Sequence, residues 1–70
     1  MVKEYSIDNM IGENVFAIIG YVKNAIRDVG FDERVVDEYR KKATSRDYNY
    51  ACAVSREYID MVNNKLKEVK

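Results

Sequence analysis

The sequence contains no histidine, no proline and a single cysteine, Cys52, in 70 residues. Histidine is the commonest metal ligand and the usual general base near neutral pH, so its absence excludes histidine triads, dyads and histidine zinc sites. One thiol forms neither an internal disulfide nor a structural zinc site. Cys52 stands between Ala51 and Ala53 and reads as a small apolar side chain, since a nucleophile needs a base to hold its thiolate. Net charge is missing too: twelve Lys plus Arg face twelve Asp plus Glu. Nucleic-acid binders carry a basic excess or a basic face, so a nucleic-acid partner is not expected. No stretch approaches the roughly 18 apolar residues that span a bilayer. Met1 to Ile11 includes Glu4 and Asp8 and no apolar run, so neither a membrane anchor nor a secretory signal is expected. A reducing cytoplasm fits this cysteine usage.

The length allows one domain. A core of this size supplies about 3–5 kcal/mol of net stability, without disulfide or metal to add to it. The twelve carboxylates are ordinary for solvated helix faces. Little room remains for a substrate pocket of about 300–1,000 Å³ beside a core. A non-enzymatic protein with no cofactor is the expectation.

Absent proline and only three glycines, Gly12, Gly20 and Gly30, predict helices with few breaks. Glu13 to Val29 carries Phe16, Ile19, Val22, Ile26 and Val29 at steps of three and four, one helical stripe, widened by Val15 and Ile18. Gly30 is placed to end this helix in the left-handed conformation. Gly20, in mid-helix, suggests close packing against a neighbouring helix, or the approach of a ligand or partner to the backbone. Asp32 reads as the N-cap of a second helix from Glu33 to about Thr44, with Phe31 and Val36 at hydrophobic-staple spacing and Val35, Val36, Tyr39 and Ala43 inward. Ser45 or Asp47 caps a third helix from Tyr48 to about Glu68, with Ala51, Val54, Tyr58, Met61 or Val62, Leu66 and Val69 along its apolar side. Its length predicts last turns that overhang, either frayed or buried in another subunit. The fold class is all-α: a three-helix bundle with a long C-terminal helix. Val2 to Ile7 leaves open a short N-terminal strand, a coil or a helical lead-in, and with the strand a small α+β alternative.

Six tyrosines are many for this length. Tyr39 and Tyr58 fall on inward stripes, whereas Tyr21 falls off the stripe of the first helix. Tyr48 and Tyr50 open the third helix beside Arg46. Tyrosine and arginine are enriched at interface hot spots, so Tyr21, Arg46, Tyr48 and Tyr50 are candidate interaction residues. Arg40 and Lys42 join them as the basic end of the second helix. Basic and aromatic residues together also suit single-stranded nucleic acid, but Asp37, Glu38 and Asp47 interleave with the bases. A solvated helix end explains that pattern as well.

The run from Asn14 through Gly20 to Val22, followed by Ala25-Ile26-Arg27 and Gly30, resembles small uncharacterised proteins of bacteriophages and prophages, in which GN-x-F-x-I-x-G-x-V precedes A-[LI]-[KR]-x-x-G. The block Ala43-Thr44-Ser45-Arg46-Asp47-Tyr48-Asn49 is similar to their A-T-S-x-D-Y-N element. The resemblance runs from about Glu13 to Met61. Glu13 and Arg46 stand where that family often has glycine, and Val62 to Lys70 extends past its usual end. Shorter relatives suggest the α+β alternative, with the segment matching Tyr58 to Met61 as a strand. The resemblance implies a setting and no activity: a phage or mobile-element gene expressed in a bacterial host, whose product binds and modulates a host protein, including components of anti-phage defence. A nucleic-acid-binding regulator is one alternative. A small-molecule or nucleotide binder, or sponge, at an oligomer interface is another. A homodimer through the long third helix would supply core that so short a chain lacks.

Overall fold

In the computed structural model, which describes residues 4–68, three helices follow a short N-terminal arm: α1 (Val15–Asp28), α2 (Glu33–Ala43) and α3 (Tyr48–Glu68). The arm ends in a single 3-10 turn, Asp8–Met10. Each helix packs against the other two. The fold is all-α, with no strand among the described residues.

Local chemistry explains each boundary. The Asn14 Oδ1 accepts the Phe16 N–H at 2.8 Å, so α1 begins after Asn14 and not at Glu13. Asp32 caps α2 by accepting the Arg34 N–H at 3.0 Å. Of the two candidates for the third cap, Asp47 does the capping, accepting from the Tyr50 N–H at 2.9 Å. Ser45 instead donates its hydroxyl to the Lys42 carbonyl at 2.7 Å, and Thr44 donates to the Arg40 carbonyl at 2.8 Å. These two hydroxyls close the end of α2, so the turn into α3 needs no glycine; among the described residues none other than glycine has positive φ. At the end of α1, Gly30 (φ +91°) lets the Phe31 N–H reach the Ile26 carbonyl at 3.2 Å and its own N–H reach Arg27 at 3.0 Å. That bond pair is a Schellman motif.

The core is one cluster. Ile18, Ile19, Val22, Ala25 and Ile26 enter it from α1; Val36, Tyr39 and Ala43 from α2; Ala51, Val54, Tyr58, Ile59 and Val62 from α3; and Ile7 from the arm. Two expectations for α1 need correction. Phe16 is not a core residue but 72% exposed, and Ile18 and Ala25 take the place it was expected to hold. Gly20 does not permit close packing within the chain, because a Cβ built there meets no atom within 4 Å.

The arm is neither a strand nor a helical lead-in over its described part; Val2 and Lys3 lie outside the described residues. It pairs with a side chain. The Asn63 amide accepts the Tyr5 N–H at 2.8 Å and donates to the Tyr5 carbonyl at 2.9 Å. Tyr58 to Met61, the candidate partner strand, lies inside α3. The last turns expected to overhang are only partly covered, and Lys67 and Glu68 are exposed. Ile59 and Val62 are buried, Met61 and Leu66 half-buried, and the Lys65 ammonium stands 6.0 Å from the centre of the Phe31 ring. Val69 lies outside the described residues.

Candidate interaction surface

The junction of α2 and α3 brings three of the six candidate residues together. The Arg46 guanidinium stacks 4.9 Å from the centre of the half-buried Tyr50 ring, a cation–π arrangement that also splints a long side chain. Tyr48, one residue past the Asp47 cap, reaches back to the start of α1. Its hydroxyl accepts the Gly12 N–H at 2.8 Å and donates to the Glu13 carbonyl at 2.9 Å. This one side chain ties the arm–α1 loop to the head of α3. Its ring, 36% exposed, remains at the surface.

An apolar groove of about 240 Å³ opens beside these residues, lined by Val15, Phe16, Ala43, Thr44, Tyr48 and Ala51, with Arg46 and Asp47 completing it. Phe16 forms one wall and leaves most of its ring in water. Single exposed apolar residues are ordinary; an exposed phenylalanine, tyrosine and arginine around one apolar groove match the make-up of interface hot spots. The Asp47 carboxylate is committed to its cap. The Arg46 guanidinium faces no carboxylate within salt-bridge distance among the described residues.

The other three candidates lie elsewhere. Arg40 is exposed near the end of α2. The Lys42 ammonium sits 5.9 Å from the centre of the Tyr58 ring, above a core tyrosine. Tyr21 belongs to the arm: its hydroxyl accepts the Ser6 N–H at 3.1 Å, and its ring meets Tyr5 edge-on with centroids 6.1 Å apart. Tyr5 in turn donates to Asp28 at 3.0 Å, and desolvation, then that carboxylate, push its phenol above the usual value. Tyr21 and Tyr5 thus hold the arm onto α1. Two further bases are already paired: Arg27 with Glu33 at 2.8 Å, and Arg56 with Asp8 at 3.4 Å. The guanidinium holds the Glu33 carboxyl below its ordinary value.

Three structural residues escaped sequence analysis. Ser55 is fully buried and shares a 2.7 Å hydrogen bond with the buried Tyr39 hydroxyl. Ile59 lies one position off the assigned stripe. Asn63, a polar residue near the end of a helix, carries no local mark of what it holds. The second groove, about 330 Å³, lies between the arm and α3 and is lined mostly by polar groups, including Glu4, Asp8, Arg56 and Asp60. Among the described residues no three His, Cys, Asp or Glu side chains gather as a metal site, and no helix is long and apolar enough to cross a membrane. No family model matches the chain, and no curated protein or solved structure is significantly similar to it.

Proposed function

We propose that this chain is a non-enzymatic interaction protein of phage or mobile-element origin that binds a bacterial host protein in the cytoplasm and modulates it. The observation that supports this most is the α2–α3 corner: an apolar groove walled by an exposed Phe16, beside Tyr48 and an Arg46 whose guanidinium lies 4.9 Å from the centre of the Tyr50 ring. Aromatic and arginine anchors around a desolvated slot are what protein partners use. A nucleic-acid strand would instead require a row of free bases. The setting rests on the motif resemblance between Glu13 and Met61. Inhibition of a host anti-phage defence component is the form of modulation which that setting favours.

The test is affinity capture from host lysate with the tagged chain, beside an R46E/Y50S variant. Arg46 is exposed and lies outside the core cluster, whereas Tyr50 is half-buried and packs against it, so R46E alone, which leaves Tyr50 in place, is run beside the double variant and a thermal melt checks the fold of both. Tyr48 is left intact because its hydroxyl holds the loop. A host protein retained by the native chain and lost from the variant supports the reading. No retained protein, or equal retention by both chains, overturns it.

A further inference from the structure

Three side chains on one stripe of α3 fasten the N-terminal arm, in reverse order of sequence. Asn63 holds the backbone of Tyr5, Arg56 pairs with Asp8 at 3.4 Å, and the Tyr48 hydroxyl holds Gly12 and Glu13. At about 100° per residue, Tyr48, Arg56 and Asn63 fall within an arc of about 80°, spread over about 22 Å of helix. Ile59 lies inside the same arc and lines a groove together with Ile7. From α1, the Tyr21 hydroxyl takes the Ser6 N–H and Asp28 takes the Tyr5 hydroxyl. Among the described residues no backbone–backbone hydrogen bond joins the arm to a helix. Ile7 is the arm's one member of the core cluster; every other member belongs to a helix, and each helix packs against the other two. At the foot of the arm Gly12 (φ +98°) turns the chain, and a Cβ built there meets no atom within 4 Å.

We propose that the arm is a strap that closes and opens as one unit over α1 and α3 while the three helices stay folded. Each hold taken alone is weak, being a hydrogen bond or ion pair at or near the surface. Ile7 couples them. It lies in sequence between the Tyr5 clamp and the Asp8–Arg56 pair, so its withdrawal from the core carries the neighbouring holds away, and its return sets them opposite their partners together. Two local bonds pass the motion to the other end: the Met10 N–H donates to the Ile7 carbonyl at 2.8 Å, and the Glu13 N–H to the Met10 carbonyl at 2.9 Å. The stretch from Ile7 to Glu13 therefore moves as a stiffened piece. Gly12 supplies the hinge, because glycine accepts a wide range of backbone angles. The helices persist on opening because the strap withdraws a single side chain from their common core. The open state has a surface that the closed chain hides: the vacated seat of Ile7, and an Asn63 amide with donor and acceptor both free. Segments that open at low free energy, below that of global unfolding, are the ones proteins use as moving parts. This inference concerns the arm and stands apart from the host-partner reading of the α2–α3 corner.

Amide hydrogen exchange of the intact chain, read residue by residue by NMR, tests the strap. Four arm amides report on it: Tyr5 bonded to Asn63, Ser6 to Tyr21, Met10 to Ile7 and Gly12 to Tyr48. In the native chain they should share one protection factor, lower than that of the buried Val22 and Val54 in the helices. Ile7→Ala removes none of these four bonds and should lower all four protections by one common factor, about tenfold or more. Asn63→Ala should lower Gly12, at the opposite end, by the same factor as Ser6, whose own partner it leaves in place. Tyr48→Phe should in turn lower Tyr5 and Ser6 alike, by about fivefold. These distant amides keep the test decisive even if Ile7→Ala folds poorly, because neither substitution touches their bonds. Arm amides protected as strongly as Val22 and Val54 would mean that the arm opens only with the whole fold, and would overturn the proposal. So would an effect of Asn63→Ala or Tyr48→Phe confined to its own end, or an Ile7→Ala chain in which Gly12 keeps its native protection.

Discussion

The Asn63 side chain grips both backbone groups of Tyr5, accepting its N–H at 2.8 Å and donating to its carbonyl at 2.9 Å, across 58 positions of sequence. An amide side chain presents the same donor and acceptor as a peptide unit. A residue on a helix thereby supplies the pairing that a neighbouring strand would give, and an extended arm is held without a sheet. Asn63→Ala should cost about 1–3 kcal/mol, two partly buried bonds at roughly 0.5–1.5 each. Asn63→Asp keeps the acceptor but turns a charged oxygen toward the Tyr5 carbonyl, and should cost at least as much. Urea titration measures the loss. Hydrogen exchange locates it: the Tyr5 amide and the Met10 amide, which donates to Ile7 at 2.8 Å, should lose protection before the helices do. Undiminished protection of Tyr5 in Asn63→Ala would refute the clamp.

The two glycines of the first helical unit should respond to alanine with opposite sign. Gly30 has φ +91°, where a Cβ is strained whatever the space, and Gly30→Ala should destabilise by about 1–2 kcal/mol. Gly20 has ordinary helical backbone and an open Cβ direction. Gly20→Ala should therefore stabilise the monomer by roughly 0.5–1 kcal/mol. Thermal melts at micromolar concentration compare the two directly; a shift in the same direction for both would contradict this assignment.

Much of this was legible before any coordinates, because helix ends are set by chemistry within a few residues of each other. Asp32, Gly30 and the Thr44–Asp47 turn sit at the boundaries that their side chains predict, and the second helix's inward residues are those its periodicity marks. Phe16 was misplaced because a stripe of period three and four fits two neighbouring faces of α1, and only the arrangement of the other helices chooses between them. The choice fell on Ile18 and Ala25, leaving Phe16 outside. The Asn63 clamp, the Tyr21 brace and the Tyr48 tie join residues 15 to 58 positions apart. No local pattern encodes such pairs. The corner of Arg46, Tyr48 and Tyr50 was legible because its members are adjacent in the chain; the groove they border was not, because α1 supplies its other wall.

Tyr48 makes its two hydroxyl bonds at the protein surface, so their worth is small for global stability and large for local order. Tyr48→Phe should lower stability by only about 1 kcal/mol. It should also raise the exchange rate of the Gly12 amide, which has no other donor bond. Gly12 (φ +98°) is the point at which the arm turns into α1, so freeing it loosens the arm as well. Because the ring stays in place, capture of a host partner should survive this substitution. Loss of capture with Tyr48→Phe would mean that the hydroxyl itself, or the loop it holds, contacts the partner.

Among the described residues the Tyr39–Ser55 pair is the one polar contact sealed in the core: both residues are fully buried, with their hydroxyl oxygens 2.7 Å apart. Removing one partner strands the other. Ser55→Ala leaves a buried phenol without a bond and should cost about 1–3 kcal/mol. Tyr39→Phe should cost less, because a helical serine can turn its hydroxyl to the carbonyl one turn back. The double variant should cost less than the sum of the singles, with a coupling of about 0.5–3 kcal/mol. Alkali adds an independent measure. Burial raises the Tyr39 phenol above its ordinary value, the bond to Ser55 partly opposing this. Below about pH 10 the phenol is protonated in both folded and unfolded chains, and its stabilisation is complete. Above that, the unfolded chain releases its proton first, so stability falls as pH rises toward the folded-state value. Tyr39→Phe abolishes this contribution and leaves that of Tyr5, whose phenol is also raised. Unfolding titrations at stepped pH should therefore show the native chain losing stability in alkali faster than Tyr39→Phe, with the two curves parallel below pH 9 or so. Parallel curves throughout would mean that Tyr39 ionises as readily folded as unfolded, which a sealed core does not allow.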